Sequence, residues 1–208
     1  MKITCLKCIH ALLMLAGLCV VAIASTQEER DGNLIEHARL GNLYEVRILL
    51  QGDVDGNNKA NVNATEKHRY TALHFACDFG HTEVVEELLK WNPDVNAVNV
   101  MGLTALYMGC EKGFIEIIRQ LLIKGADPTI SNPYGDTPLH AASSYNRTEV
   151  ASLRIGARAS INARNKLQEN PVDIAIRCGF AGLYDLLVLN GGKASTIVQV
   201  ARHSMFND

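Results

Sequence analysis

Apolar residues recur along this chain in two alternating helical patterns. Leu73, Ala76 and Cys77 stand at i, i+3, i+4 spacing and make a narrow face of small side chains. Val84, Val85, Leu88 and Leu89 then make a broader apolar face, and Ile117, Ile118, Leu121 and Leu122 repeat it. Gly80 and Gly113 separate the narrow pattern from the broad one. The pattern predicts pairs of short helices. A Thr that can cap opens the first helix, Pro at the first helical position loses no needed N–H, and a Gly able to take a positive φ closes it. Small residues on the first helices let neighbours approach closely. One pair cannot bury its own apolar face, so pairs must stack.

The pairs follow a 33-residue period. Thr71-Ala72-Leu73-His74 returns as Thr104-Ala105-Leu106-Tyr107, as Thr137-Pro138-Leu139-His140 and, more weakly, as Asn170-Pro171-Val172-Asp173. The loops Asp94-Val95-Asn96-Ala97 and Gly125-Ala126-Asp127-Pro128 follow the broad helices. These residues resemble the ankyrin repeat, with its T-P-L-H-x-A helix start, inter-helix glycine and G-A-D-V-N-A loop. The resemblance covers about residues 31–193 and implies an all-α solenoid of about five helix-turn-helix repeats with hairpin loops. It is specific for fold and nearly silent on function.

The reading divides the chain into a short linker at 25–30, repeats at about 31–67, 68–100, 101–133, 134–166 and 167–193, and a tail at 194–208 with one helical turn at Thr196–Ala201. In the first repeat Leu34, Ala38, Gly41, Val46, Leu49 and Leu50 fit the pattern, and an insertion, Asp53–Asn58, lengthens it. In the fourth, Gly156-Ala157 come two residues early. That predicts a shortened second helix around Glu149–Ile155. The fifth repeat, with Leu183, Leu186 and Leu187, is expected to cap the array.

The first 24 residues follow a different pattern. Lys2 and Lys7 precede 14 residues, Ala11–Ala24, without a charge or strong polar group, and Ala22-Ile23-Ala24 is a small-x-small site. This is the layout of a secretory signal peptide cleaved after Ala24. The run is shorter than the roughly 18–20 residues of a comfortable membrane span, although an uncleaved anchor is the alternative. The expected product, 25–208, is secreted and extracellular with no membrane span after cleavage.

Composition narrows the function. The 208 residues include 20 basic and 22 acidic side chains, 48 % hydrophobic residues and a formal net charge of −2. That excludes a disordered chain and disfavours a nucleic-acid partner. After cleavage 18 basic and 22 acidic residues remain, together with Cys77, Cys110 and Cys178. Stacked helices lie about 8–10 Å apart and a disulfide needs Cα atoms within about 7 Å, so Cys77 and Cys110 are expected to be buried free thiols. The odd Cys178 is the candidate for a disulfide-linked dimer of an otherwise monomeric chain.

No catalytic set, metal site or cofactor site is expected. His74 and His140 belong to the helix-start motif, and the resemblance implies that they hydrogen-bond to loop backbone. Asp53–Asn58 fails the calcium-loop pattern, because its sixth position is Asn58 and its twelfth is Ala64. Asn63 and Asn146 head glycosylation sequons, Asn146 on an inter-helix turn where other repeats have glycine. In the family, partner contacts come from hairpin tips and the exposed ends of first helices. Carried over, these are Lys67, His68, Tyr70, Asp78 and Phe79; Val100, Met101, Leu103, Glu111 and Lys112; Pro133, Tyr134, Asp136, Ser144 and Tyr145; and Lys166, Leu167, Glu169 and Arg177. Aromatic and Met residues among them suit an interface core. The expected function is noncovalent binding of a protein partner through this concave surface. The alternative is an exported effector or toxin accessory acting on or inside another organism's cells.

Overall fold

The structure, a computed structural model, describes residues 26–153 and 161–195. The signal segment 1–24, the early Gly156-Ala157 loop and the helical turn at 196–201 lie outside these residues. Five helix pairs follow one another: α1 Gln27–Leu40 and α2 Leu43–Gln51, α3 Ala72–Phe79 and α4 Thr82–Lys90, α5 Ala105–Lys112 and α6 Ile115–Ile123, α7 Pro138–Ser144 and α8 Thr148–Ser152, α9 Pro171–Arg177 and α10 Ala181–Leu189. The odd-numbered helices pack in one row and the even-numbered helices in a second. The fold is the all-α repeat solenoid expected from the sequence.

The helices begin as the motif requires. The Thr71 hydroxyl accepts the His74 N–H, while His74 Nδ1 accepts the Thr71 N–H at 3.2 Å. Thr137 with His140 and Asn170 with Asp173 make the same reciprocal cap. The first helix departs from expectation. Thr26 caps it through Glu29, so residues 27–30 are helix and not linker. A threonine followed three residues later by a glutamate is itself a capping signal.

One core runs through all five pairs. Leu34, Leu50, Leu73, Leu88, Leu106, Ile117, Ile118, Leu121, Leu139 and Leu183 are fully buried in it. Each contributes about 1.5–3 kcal/mol by leaving water. Cys77 and Cys110 are buried free thiols in the same core, and burial pushes both thiols well above their ordinary range. Cys178 is half-buried and free. On the even-numbered row, Glu87 of α4 is buried beside Arg47 of α2 at 3.1 Å and Lys90 at 3.2 Å. Burial alone would raise its pKa, but bonds from Lys90 and Arg47 hold it below the usual carboxylate value.

Three sets of polar clamps join successive repeats. His74 Nε2 donates to the Leu103 carbonyl at 3.0 Å, and His140 Nε2 to the Glu169 carbonyl at 3.2 Å. At the opposite loops, the Asn63, Asn96 and Asn162 side chains accept the N–H groups of Asp94, Asp127 and Lys193 at 2.7, 2.8 and 2.7 Å. At the inter-helix turns, His81 Nε2 donates to the Arg39 carbonyl at 2.9 Å and Arg147 Nε to the Glu111 carbonyl at 2.8 Å. Backbone acceptors in one repeat are thus matched to side chains in the next. The insertion is ordered around Asp53, whose carboxylate accepts the Asn57 N–H at 2.7 Å and the Asn58 side-chain amide at 2.9 Å.

Candidate partner-binding surface

The hairpin tips are built on a recurring asparagine. Asn99 Oδ1 accepts the N–H groups of Met101 and Leu103 at 2.9 and 3.0 Å. Asn132 does the same for Tyr134 and Asp136, and Asn165 for Leu167 and Glu169. One carbonyl oxygen thereby closes each tip and turns the two following side chains outward. The tip that leads into the second repeat has Glu66 at this place, and Arg39 of α1 takes its carboxylate at 2.9 Å. Two consecutive residues there, His68 and Arg69, adopt positive φ of 72° and 62°.

Neighbouring tips are bonded backbone to backbone. The Val100 N–H donates to the His68 carbonyl at 3.0 Å, and the Lys166 N–H to the Tyr134 carbonyl at 2.9 Å. Between these rungs the corresponding residue is Pro133, which has no N–H to offer Met101.

The carried-over residues divide by exposure. Lys67, His68, Val100, Met101, Tyr134, Lys166 and Leu167 are exposed along the tips, as is Pro133. Phe79, Lys112, Ser144, Tyr145 and Arg177 are exposed at the ends of the first helices. Tyr70, Asp78, Leu103, Glu111, Asp136 and Glu169 are half-buried. Tyr70 stacks on Phe75 with ring centroids 5.0 Å apart, and the Arg39 guanidinium of the preceding repeat lies over the Phe75 ring, 4.3 Å from its centroid. Phe79 stacks on His81 at 6.2 Å. These two aromatics therefore pack against side chains of their own repeat as well as facing outward.

Charged residues on this face are partly paired. Lys112 reaches Asp78 at 3.3 Å and Glu111 at 3.7 Å, and Asp78, then Glu111, raises its pKa. Arg177 binds Glu169 at 2.8 Å. Asp136 has an amide partner instead, Asn165 Nδ2 at 2.8 Å. Tyr107 fills the column occupied by His74 and His140, with its hydroxyl 3.5 Å from Asn132 Nδ2. Burial, with Asp136 and Glu111 nearby, pushes its phenol up to about 12. Burial and Asp78 likewise raise Tyr70.

Sequence reasoning missed Arg39, Phe75 and Tyr107 as parts of this surface. The signal for Arg39 was available. Aligning Gly41 with Gly80 places Arg39 in the column of Asp78, Glu111, Ser144 and Arg177. Tyr107 stands in the histidine position of the repeated motif, and its longer ring reaches the next tip at Asn132.

Of the sequon residues, Asn146 is exposed with φ 55°, and Asn63 is exposed with its side-chain oxygen engaged by Asp94. Among the described residues no cluster of His, Cys, Asp or Glu is arranged to hold a metal, and no helix is long and apolar enough to cross a membrane.

Known proteins bear on this architecture. The family described as ankyrin repeats (3 copies) matches residues 6–99, 34–132 and 106–197. Human oxysterol-binding protein-related protein 1 is 40 % identical over 71 residues, which are 32 % of this chain and 8 % of that protein. Human ankyrin repeat domain-containing protein 40 is 40 % identical over 68 residues, 33 % of this chain and 17 % of that protein. The shared stretches thus span less than a fifth of the length of these curated relatives. With matches along nearly the whole repeat region and helix pairs in register, this chain belongs to the ankyrin-repeat family.

Proposed function

We propose that this chain is a secreted scaffold that binds a protein partner noncovalently through its hairpin tips and the concave surface of its first helices. The observation that carries the reading is the row of exposed apolar side chains at adjoining tips: Val100 at 55 %, Met101 at 49 %, Tyr134 at 72 % and Leu167 at 77 % exposure. These side chains fill no part of the core. They stand on a frame held by inter-repeat hydrogen bonds, so little ordering is needed on binding. The working form is a monomer, without cofactor.

The test replaces Phe79, Met101, Tyr134 and Tyr145 together by Ser, with thermal unfolding as the folding control. Partners captured by the wild-type chain are expected to be lost. Retention of every partner overturns the surface assignment. Export is tested separately by the intact mass, reduced and unreduced, of C-terminally tagged protein from the medium of secreting cells. A mass matching residues 25–208 supports cleavage after Ala24. Full-length chain held in membranes overturns it.

The free thiols favour a second reading. The three cysteines among the described residues are unpaired, which suits a reducing compartment. An exported effector or toxin accessory acting on or inside another organism's cells meets that condition where it works inside them. Glycan mass, or a doubled unreduced mass from pairing through Cys178, counts against it.

A further inference from the structure

The middle of the surface combines two unusual features. The tip ladder is interrupted at Pro133, between intact rungs at Val100 and Lys166, with Met101 and Tyr134 exposed on either side of the gap. Beside it, on the first-helix row, lie carboxylates only partly balanced by cations. Glu111 has Lys112 at 3.7 Å, a cation that lies closer to Asp78, at 3.3 Å. Asp136 is held in place by an amide, Asn165 Nδ2 at 2.8 Å, and no cation among the described residues reaches it within ion-pair distance, although Arg177, bound to Glu169, is near enough to feel its charge. Two phenol rings accompany these carboxylates. Tyr107 is tied through Asn132 to the Asp136 loop, since the same Asn132 side chain touches the Tyr107 hydroxyl and accepts the Asp136 N–H at 3.0 Å. Tyr145 ends α7, beside α5, and with Asp136 and Glu111 it raises the phenol pKa of Tyr107.

Half-buried carboxylates next to aromatic faces select a particular cation. A guanidinium offers planar donors to carboxylates and a weakly hydrated face to phenol rings, whereas an ammonium is compact and strongly hydrated. The exposed apolar residues at the tips ask for apolar neighbours in the same ligand. Resting on the protein-binding reading above, we infer that the partner presents an extended segment with an arginine among apolar residues. The arginine sits between Tyr107 and Tyr145 against Glu111 and Asp136, and its apolar neighbours lie on Met101 and Tyr134.

The full chain is panned against a display library of randomised short peptides. Each enriched peptide is titrated into the wild type, the Glu111→Gln/Asp136→Asn pair and the Met101→Ser/Tyr134→Ser pair. It is also resynthesised with each arginine replaced by its uncharged isostere citrulline. Asn at 136 still accepts the Asn165 amide, so the carboxylate variant keeps the tip. The expected result is a retained arginine whose loss, or the carboxylate substitutions, weakens binding about tenfold, without further loss when both are combined. Binders that need no arginine and ignore the carboxylate pair, yet are lost with the tip pair, overturn the arginine inference and leave the surface reading standing. Binders indifferent to both pairs overturn both. A library that enriches nothing overturns the inference, since an isolated segment is then not recognised.

Discussion

The Pro133 ring lies over Gly102, with its Cδ 2.7 Å from where a Cβ on that glycine would stand. Gly102 also holds φ at 70°, in the left-handed region. Two demands thus meet at one residue, a backbone conformation and a close approach by the following tip.

Gly102→Ala is therefore expected to lower stability by about 1–3 kcal/mol, from left-handed strain plus displacement of Pro133. Urea unfolding would show a lower midpoint with unchanged slope. The strain is local, so Gly102→Ala combined with Pro133→Ala should recover part of the loss. No recovery would show that the two residues do not act together.

The second tip meets the same conformational demand without glycine. Arg69 sits at φ 62° where the third and fourth tips have Gly102 and Gly135, and Gln168 sits at φ 63° in the fifth. Replacing Arg69 or Gln168 by Gly relieves about 1 kcal/mol of strain, less the greater freedom of glycine in the unfolded chain. A net gain of about 0.5 kcal/mol in thermal or urea unfolding is expected for each. A loss at either position would mean that the side chain contributes more than the backbone costs.

His74 and His140 make stability pH-dependent. Each neutral ring donates from Nε2 and accepts at Nδ1, and burial lowers its pKa below the ordinary 6.5. The folded chain therefore takes up these protons less readily than the unfolded chain. The contribution is complete above pH 6.5 and is lost as pH falls from there toward the lowered folded values. Each ring gives up at most about 1.4 kcal/mol per pH unit in that window. Replacing both by Tyr, the residue that Tyr107 supplies in the third repeat, should flatten the urea midpoint between pH 7 and pH 5. An unchanged slope would assign the effect to other groups.

Ser143 stands in the column of Cys77 and Cys110, and its buried hydroxyl has no hydrogen-bond partner among the described residues. Ser143→Ala removes that unmet polar group and is expected to raise stability by about 0.5–1 kcal/mol. Thr137→Ala, which deletes the cap of α7, should lower it by about 1 kcal/mol. Equal effects of the two substitutions would contradict the assignment of one hydroxyl as unsatisfied and the other as a cap.

Much of the candidate surface was legible because of its period. Once Thr71, Thr104 and Thr137 are aligned, Tyr70, Leu103 and Asp136 form a column, and so do Asp78, Glu111 and Ser144. What columns omit is the contact across repeats. Arg39 over Phe75, Lys112 bridging to Asp78, and Tyr107 reaching Asn132 each join side chains about 25–36 residues apart, and their geometry depends on how the pairs stack.

By itself the sequence determined the repeat, its five helix pairs, the core faces and the residues presented at the tips. Those properties are local, set by 3.6-residue periodicity, capping and left-handed turn positions that recur in phase. The first helix was placed late, because its Thr26–Glu29 cap lies in a stretch of polar residues without the apolar motif. Only the tertiary structure decided which tips are bonded, where Pro133 breaks the ladder, and which carboxylates keep a cation. Those outcomes turn on hydrogen-bond geometry and on distances of 3–4 Å between repeats, which spacing along the chain does not specify.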